Sequence, residues 1–462
     1  MPNQCKRVSM SEQKTYFLND PTTPELITAI PIPPPTLPAL DVVGFVGPCE
    51  PNTNEYHAAS CYITLNNCLN YVQNILKNNG GELLQWVRSN HLTVRPLAGV
   101  GFNAYYDGSS LNYLYKQNIY TADSADVVAH EMGHAILDAL RSGLFSLGSM
   151  ETAAFHEAFG DIIAILGVMQ HDLILNQALK ETNGDLKQSN IISKIGEQLG
   201  QAIYTATNHQ KGYPNTLRDA TIIFDYVNPT TLPTQGGYEI LINECHSFGR
   251  VFMCAWYEIM CNIFNQEKQS QPLLEALKTA RDMSARYLLS AIRIAPTIVK
   301  FLKAVAESMI TVAKTENSKY TEIIKQVFIS RNIISENGLN SLSTRKLPEV
   351  LQFLKHDDDI TEYAHGTTIR TKNQRTIKLS EYVLSKQDLD NPFYSAEIEM
   401  PADTYCEFDK MGNLVMGLQS DDHELVSAAV SFVQSITEHN PIINGVQMWT
   451  VQEGKLIRNF VD

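Results

Sequence analysis

The 462-residue chain has no long hydrophobic run. Apolar stretches such as Ile162 to Met169 fall far short of the roughly 18 residues that a bilayer-crossing helix needs, so no membrane partner is expected. The first thirty residues lack the apolar core of a secretory signal. The chain therefore reads as soluble and cytoplasmic, or as leaving the cell by a signal-independent route. Basic side chains are the minority, 36 against 50 acidic ones, for a formal charge of -14. Such a field repels phosphate backbones and argues against nucleic acid as a partner. Cysteine is sparse, at 8 residues, and forms no C-x-x-C pair. Cys61/Cys68 and Cys254/Cys261 are spaced to share one side of a helix, and all eight cysteines read as mostly buried, reduced thiols in a reducing compartment. No internal repeat is present, and the only biased tract is rich in proline.

What is present is material for a core: 44% hydrophobic and 19% charged residues exclude a disordered or fibrous chain. The patterning predicts an α+β protein in four stretches. Residues 1–50 read as an extended lead-in, because Pro31, Pro33, Pro34, Pro35 and Pro38 exclude helix. Residues 51–200 open with an amphipathic helix from about Tyr56 to Lys77, stopped at Asn78-Asn79-Gly80-Gly81. A Gly-rich, aromatic, strand-like segment follows from Gly99 to Tyr115, and then helices at about Ser124 and from Met150 to Met169. Residues 201–345 read as helical, with patterns at Asn243 to Asn265, Pro272 to Thr315 (restarting near Pro296) and Tyr320 to Arg331. Residues 346–462 read as a small α+β domain. Its strands alternate from Ser395 to Gln419 about a turn at Lys410-Met411-Gly412-Asn413. A helix covers Asp421 to His439, and the end is hairpin-like.

The most informative stretch is His130-Glu131-Met132-Gly133-His134. Positions four apart share a helix face, so both imidazoles can bind one metal ion. Glu131 is rotated about 100° from His130 and can reach a water rather than the metal. Two imidazoles and one carboxylate suit Zn²⁺ in an open catalytic site. The next helix places Glu157 and Asp161 four apart within an apolar run. Acids pointing into a core need a partner, which fits a third zinc ligand and an acid orienting a ligand imidazole.

The stretches DVVAHEMGHA and HEAFGD together resemble the thermolysin-like zinc metallopeptidases, gluzincins whose third ligand is a glutamate on the next helix. The resemblance implies a two-lobe unit, with a mixed α+β lobe and a mainly helical lobe, covering roughly Tyr56 to Arg331. Tyr56-His57-Ala58-Ala59 is similar to the start of the family's long N-terminal helix. Asn103-Ala104-Tyr105-Tyr106 is similar to its edge strand, where an Asn-Ala pair holds the substrate backbone. Arg218 falls where an arginine grips a substrate carbonyl, and His246 where a histidine stabilises the oxyanion. Several positions depart from the pattern. The asparagine usual before the third ligand is His156, able either to orient a ligand imidazole or to pack. The active-site tyrosine has no counterpart in Gly143-Leu144-Phe145-Ser146. The usual acidic partner of His246 is absent, with Glu244 as a candidate substitute. Asp126 falls at a family calcium position, but the later acidic ligands do not line up, so no calcium site is assigned.

These residues define an expected mechanism. Zinc on His130, His134 and Glu157 lowers the pKa of a water to about 7, and Glu131 takes its proton as general base. His246 donates to the oxyanion, and Arg218 holds a neighbouring carbonyl. The expected activity is endopeptidase cleavage of peptide or protein substrates, because an Asn-Ala edge strand reads backbone rather than a chain end. Two alternatives stand beside it: a zinc-bearing interaction protein with impaired catalysis, and a zinc hydrolase of a non-peptide amide. Oligomeric state is open. Cys245 beside His246 reads as unable to form a nucleophile–base contact, because helix neighbours diverge by about 100°. His356-Asp357-Asp358-Asp359 reads as a solvated turn. His57, His91, His171, His209, His365, His423 and His439 read as structural or surface residues.

Overall fold

The computed structural model describes residues 14–23, 27–30, 32–47, 49, 53–80, 83–208, 213–316, 318–335, 359–363, 366–382, 391–411, 414–440, 442–443 and 446–459. Cys5, Pro31, Gly81, His209, His356 to Asp358, His365, Gly412 and Asn413 lie outside them. Helices and sheets both contribute, which makes the protein α+β. The chain divides into two compact units: Met1–Asn74, Leu83–Ala135 and Ile163–Asp219 form the first, and Ile75–Glu82, Ile136–Ile162 and Ala220–Asp462 the second.

In the first unit, strands β1 (Lys14–Phe17) and β2 (Ile27–Ile30) pair antiparallel. Strand β3 (Ala39–Val42) leads into helix α1 (Asn54–Asn78), followed by β4 (His91–Val100), β5 (Ala104–Tyr106), β6 (Ser110–Lys116) and β7 (Ile119–Tyr120). The sheet order is β3-β4-β6-β5, parallel except for β5, which lies at the edge; β7 adds to β6. Helix α2 (Ala125–Leu140) is buried along nearly its whole length, although Asp126, His130, His134 and Asp138 form a polar stripe at four-residue spacing. It seats on the sheet through Tyr113, whose buried hydroxyl donates to Val128 O at 3.1 Å. Helix α3 (Met150–Val168) approaches through Gly167, where a Cβ would fall 2.7 Å from Cys68 Sγ and 3.2 Å from Ala129 Cβ. Only glycine permits that three-helix contact. Helices α4 (Asp172–Glu181) and α5 (Glu197–Ala206) and the short pair β8 (Lys194–Ile195) and β9 (Arg218–Asp219) complete the unit.

The second unit contains α6 (Cys245–Glu267), α7 (Leu273–Ile294), α8 (Phe301–Thr315) and α9 (Thr321–Ser330). The break between α7 and α8 falls at Pro296, which disfavours helix in the residue before it. Phe155, Phe252, Phe301 and Phe328 meet in the core at ring separations of 5.1 to 5.7 Å. Strands β10 (Asp359–Tyr363), β11 (Gly366–Thr371), β14 (Thr404–Asp409) and β15 (Leu414–Gln419) form one antiparallel sheet. Strands β12 (Gln374–Lys378) and β13 (Glu397–Pro401) join β19 (Lys455–Arg458) and β18 (Trp449–Gln452) in another, ordered β12-β13-β19-β18; β16 (Ile442–Ile443) and β17 (Val446–Gln447) pair separately. The β18–β19 turn is Glu453-Gly454, both at positive φ (51° and 78°), the backbone that suits a two-residue hairpin. Helix α10 (Asp422–His439) starts at a capping box of Asp421 and Glu424 and packs Leu425, Ala429 and Val433 on Ile398, Met400 and Val299. Among the described residues no single helix is long and apolar enough to cross a membrane.

Candidate metal centre

His130 and His134 stand one turn apart on α2, buried to 6% and 8% exposure, with ring centroids 4.8 Å apart and planes at 89°. The helical period places two imidazoles side by side, with Glu131 (6% exposed) beside them. His130 and His134 are candidate metal ligands. Buried imidazoles one helical turn apart are borderline donors suited to Zn²⁺, so the residues present fit that ion. Arg218 on β9 turns Nη2 toward His130 Nδ1 at 3.4 Å, a contact long for a hydrogen bond. Its strand is held close to α5 by Gly200, where a Cβ would lie 2.1 Å from the Thr216 carbonyl carbon. Asp219 accepts from Ser189 Oγ at 2.5 Å.

Asn103 lies just before edge strand β5, and its carbonyl accepts from Leu114 N at 3.1 Å. Ala104, first in β5, pairs with Tyr113. The outer side of β5 has no strand partner among the described residues.

In the second unit, Glu157 and Asp161 occupy successive turns of α3, and Asp161 is 1% exposed. His246 Nε2 lies 3.3 Å from Glu157 Oε2. Its Nδ1 lies 2.5 Å from Glu244 Oε1, so the substitute partner suggested by the sequence is in contact with it. Glu244 also caps α6, accepting from His246 N at 3.1 Å and Ser247 N at 2.9 Å. Burial pulls the His246 imidazolium down, but Glu157 and then Glu244 outweigh it and hold the ring well above the usual imidazole range. Burial raises Glu244, yet His246 and the backbone donors bring it down to about 2. An ionised Glu244 facing a protonated His246 is a charge-assisted pair.

One reading of the sequence changes here. Cys245 does touch its neighbour: Sγ lies 3.6 Å from His246 Nδ1. The 100° divergence of helix neighbours fails because both side chains turn toward Glu244 at the first turn of α6. Burial first, then Glu244, pushes the thiol up to about 11, so the contact makes no nucleophile. Among the described cysteines, Cys49 and Cys245 are half-buried, and Cys61, Cys68, Cys254, Cys261 and Cys406 are buried. His156, 3% exposed, packs edge-on against Phe145 at 5.0 Å between ring centroids.

A second cluster was not apparent from the sequence. Asp20, Asp126 and Glu197 bring carboxylate oxygens within 4.8 Å of one another. Asp20 accepts from Ser124 Oγ at 2.8 Å and Gln198 N at 3.1 Å, and Asp126 accepts from Gly196 N. Burial and then Asp20 push Asp126 up to about 7. The acids after the second helix therefore do include one, Glu197, that reaches Asp126.

Residues 53–138 match the family model described as thermolysin metallopeptidase, catalytic domain. That stretch runs from α1 to the end of α2 and carries His130, Glu131 and His134. Over this stretch the chain resembles the thermolysin-like metallopeptidases. No curated protein matches the chain.

Proposed function

We propose that the protein is a zinc-dependent metallo-endopeptidase. The observation that carries this reading is the donor set on α2: two buried imidazoles one turn apart with Glu131 between them, inside the stretch similar to the thermolysin catalytic domain. His130, His134 and Glu157 would hold the ion, with Asp161 and His156 supporting the ligands. When bound, zinc supplies Lewis-acid polarisation and a water of pKa about 7.

The chain's own residues supply the rest. Glu131 accepts the proton of the attacking water and passes it to the leaving amine, a general acid–base role worth about 10²–10⁴-fold. His246, held by Glu244 at its Nδ1, donates to the developing oxyanion. Arg218 offers a charged fork for a substrate carbonyl. Edge strand β5, led by Asn103 and Ala104, accepts an extended substrate by strand addition, which favours internal cleavage.

A second reading, a zinc-bearing binding protein with impaired catalysis, is favoured by one observation. Phe145, which cannot donate a hydrogen bond, stands in the segment where the family's tyrosine is expected. A mixed peptide library read by mass spectrometry separates the two. Internal cleavages present with the zinc-loaded protein and lost in Glu131→Gln support the peptidase; zinc binding without cleavage by either protein supports the binding module.

A further inference from the structure

The segment joining α2 to α3 is pinned by the end of the chain. Arg458, on the last strand, places its guanidinium carbon 3.4 Å from the Phe145 ring centroid and donates from Nη1 to Phe145 O at 2.9 Å. The same guanidinium lies 5.8 Å from the Trp449 ring centroid. A few residues on, Gly148 N donates to Glu399 O at 3.2 Å. A Cβ at Gly148 would sit 2.5 Å from Ile398 Cγ2, so the C-terminal sheet presses directly on this backbone. The 5%-exposed Phe145 ring in turn meets the His156 ring, and His156 directly precedes Glu157 on α3.

We propose that Arg458 is a positioning residue for the zinc ligand Glu157, acting through Phe145 and His156. The inference rests on the zinc reading above. A guanidinium that both stacks on a ring and bonds its carbonyl fixes the Phe145 side chain and backbone together. The fixed ring then limits the rotamers of His156, and with them the first half of α3 that carries Glu157. Support around a ligand is typically worth about 10–100-fold in metal affinity or activity. The C-terminal α+β segment is thereby part of the metal centre's scaffold rather than an appendage to it.

The test compares the full-length protein with Arg458→Ala, Arg458→Lys and Phe145→Leu. Zinc affinity is measured by competition against a chelator of known strength, kcat and KM on a cleaved peptide, and thermal unfolding on the zinc-free chains. The expected result is zinc binding weakened about tenfold in Arg458→Ala, with kcat lowered and KM unchanged. Arg458→Lys falls between, since lysine keeps a charge but not the planar fork. Phe145→Leu reproduces the Arg458→Ala loss. Should Arg458→Ala fail to fold, the Arg458→Lys and Phe145→Leu pair decides by the same readouts. Variants that unfold earlier yet bind zinc and turn over like the parent overturn the positioning role while leaving the zinc reading intact. A parent protein that binds no zinc overturns both.

Discussion

His246 Nε2 stands 3.3 Å from Glu157 Oε2, which joins the first turn of α6 to the second turn of α3. The approach depends on Gly249, where a Cβ would lie 2.7 Å from Ala154 O and 3.0 Å from Glu157 Cβ. One helix thus carries both the missing side chain that permits contact and the imidazole that uses it.

Replacing Gly249 by alanine is expected to force α6 away from α3, at about 1–3 kcal/mol of stability, the usual cost of overpacking. Denaturant unfolding of Gly249→Ala measures the cost. A stability equal to the parent's would mean that the two helices do not depend on this close approach.

His246→Ala is expected to lower kcat by about 10²–10³ with little change in KM, because an oxyanion donor acts in the transition state. Glu244→Gln should cost less, since it keeps a hydrogen-bonding side chain but removes the charge facing the ring. Steady-state kinetics on one peptide orders the two variants, and the reverse order would count against the assignment of His246.

Cys245→Ala is expected to retain cleavage. At neutral pH the Cys245 thiol should react slowly with iodoacetamide, because burial and Glu244 push it up to about 11. Rapid alkylation of Cys245, located by peptide mapping, would contradict this environment.

Glu151 yields a prediction about pH. It accepts from Tyr226 Oη at 2.7 Å and Leu302 N at 3.0 Å, yet burial outweighs both bonds and pushes its carboxyl up to about 7. The folded state therefore holds this proton more tightly than the unfolded state, whose ordinary value is 4.5. The associated stability is fully present below 4.5 and is lost as pH rises toward 7, by up to about 3 kcal/mol. Glu151→Gln should flatten that part of the stability–pH curve. An unchanged slope would contradict the raised value.

Helix α2 was legible because its signal is local: His130, Glu131 and His134 obey one helical period. Helices α1, α3 and α6 to α9 were legible for the same reason, with ends within a few residues of those expected. Contacts formed over long separations were not. Asp20 reaches Asp126 from the N-terminal segment, and Arg458 finds Phe145 at a separation of 313 residues. No spacing rule encodes such pairs. The Cys245–His246 contact was misread because the 100° rule describes a helix interior, whereas these residues open α6, where side chains fold back to a cap. Glu244 was visible only as a nearby acid; its reach to His246 depends on the cap geometry.

Zinc content decides whether this is a zinc enzyme. About one zinc per purified, zinc-equilibrated chain is expected, retained in Glu131→Gln and largely lost in His134→Ala and Glu157→Ala, read by elemental mass spectrometry after dialysis. Folded parent protein that retains no zinc, or zinc retained undiminished in both ligand variants, would contradict the zinc reading.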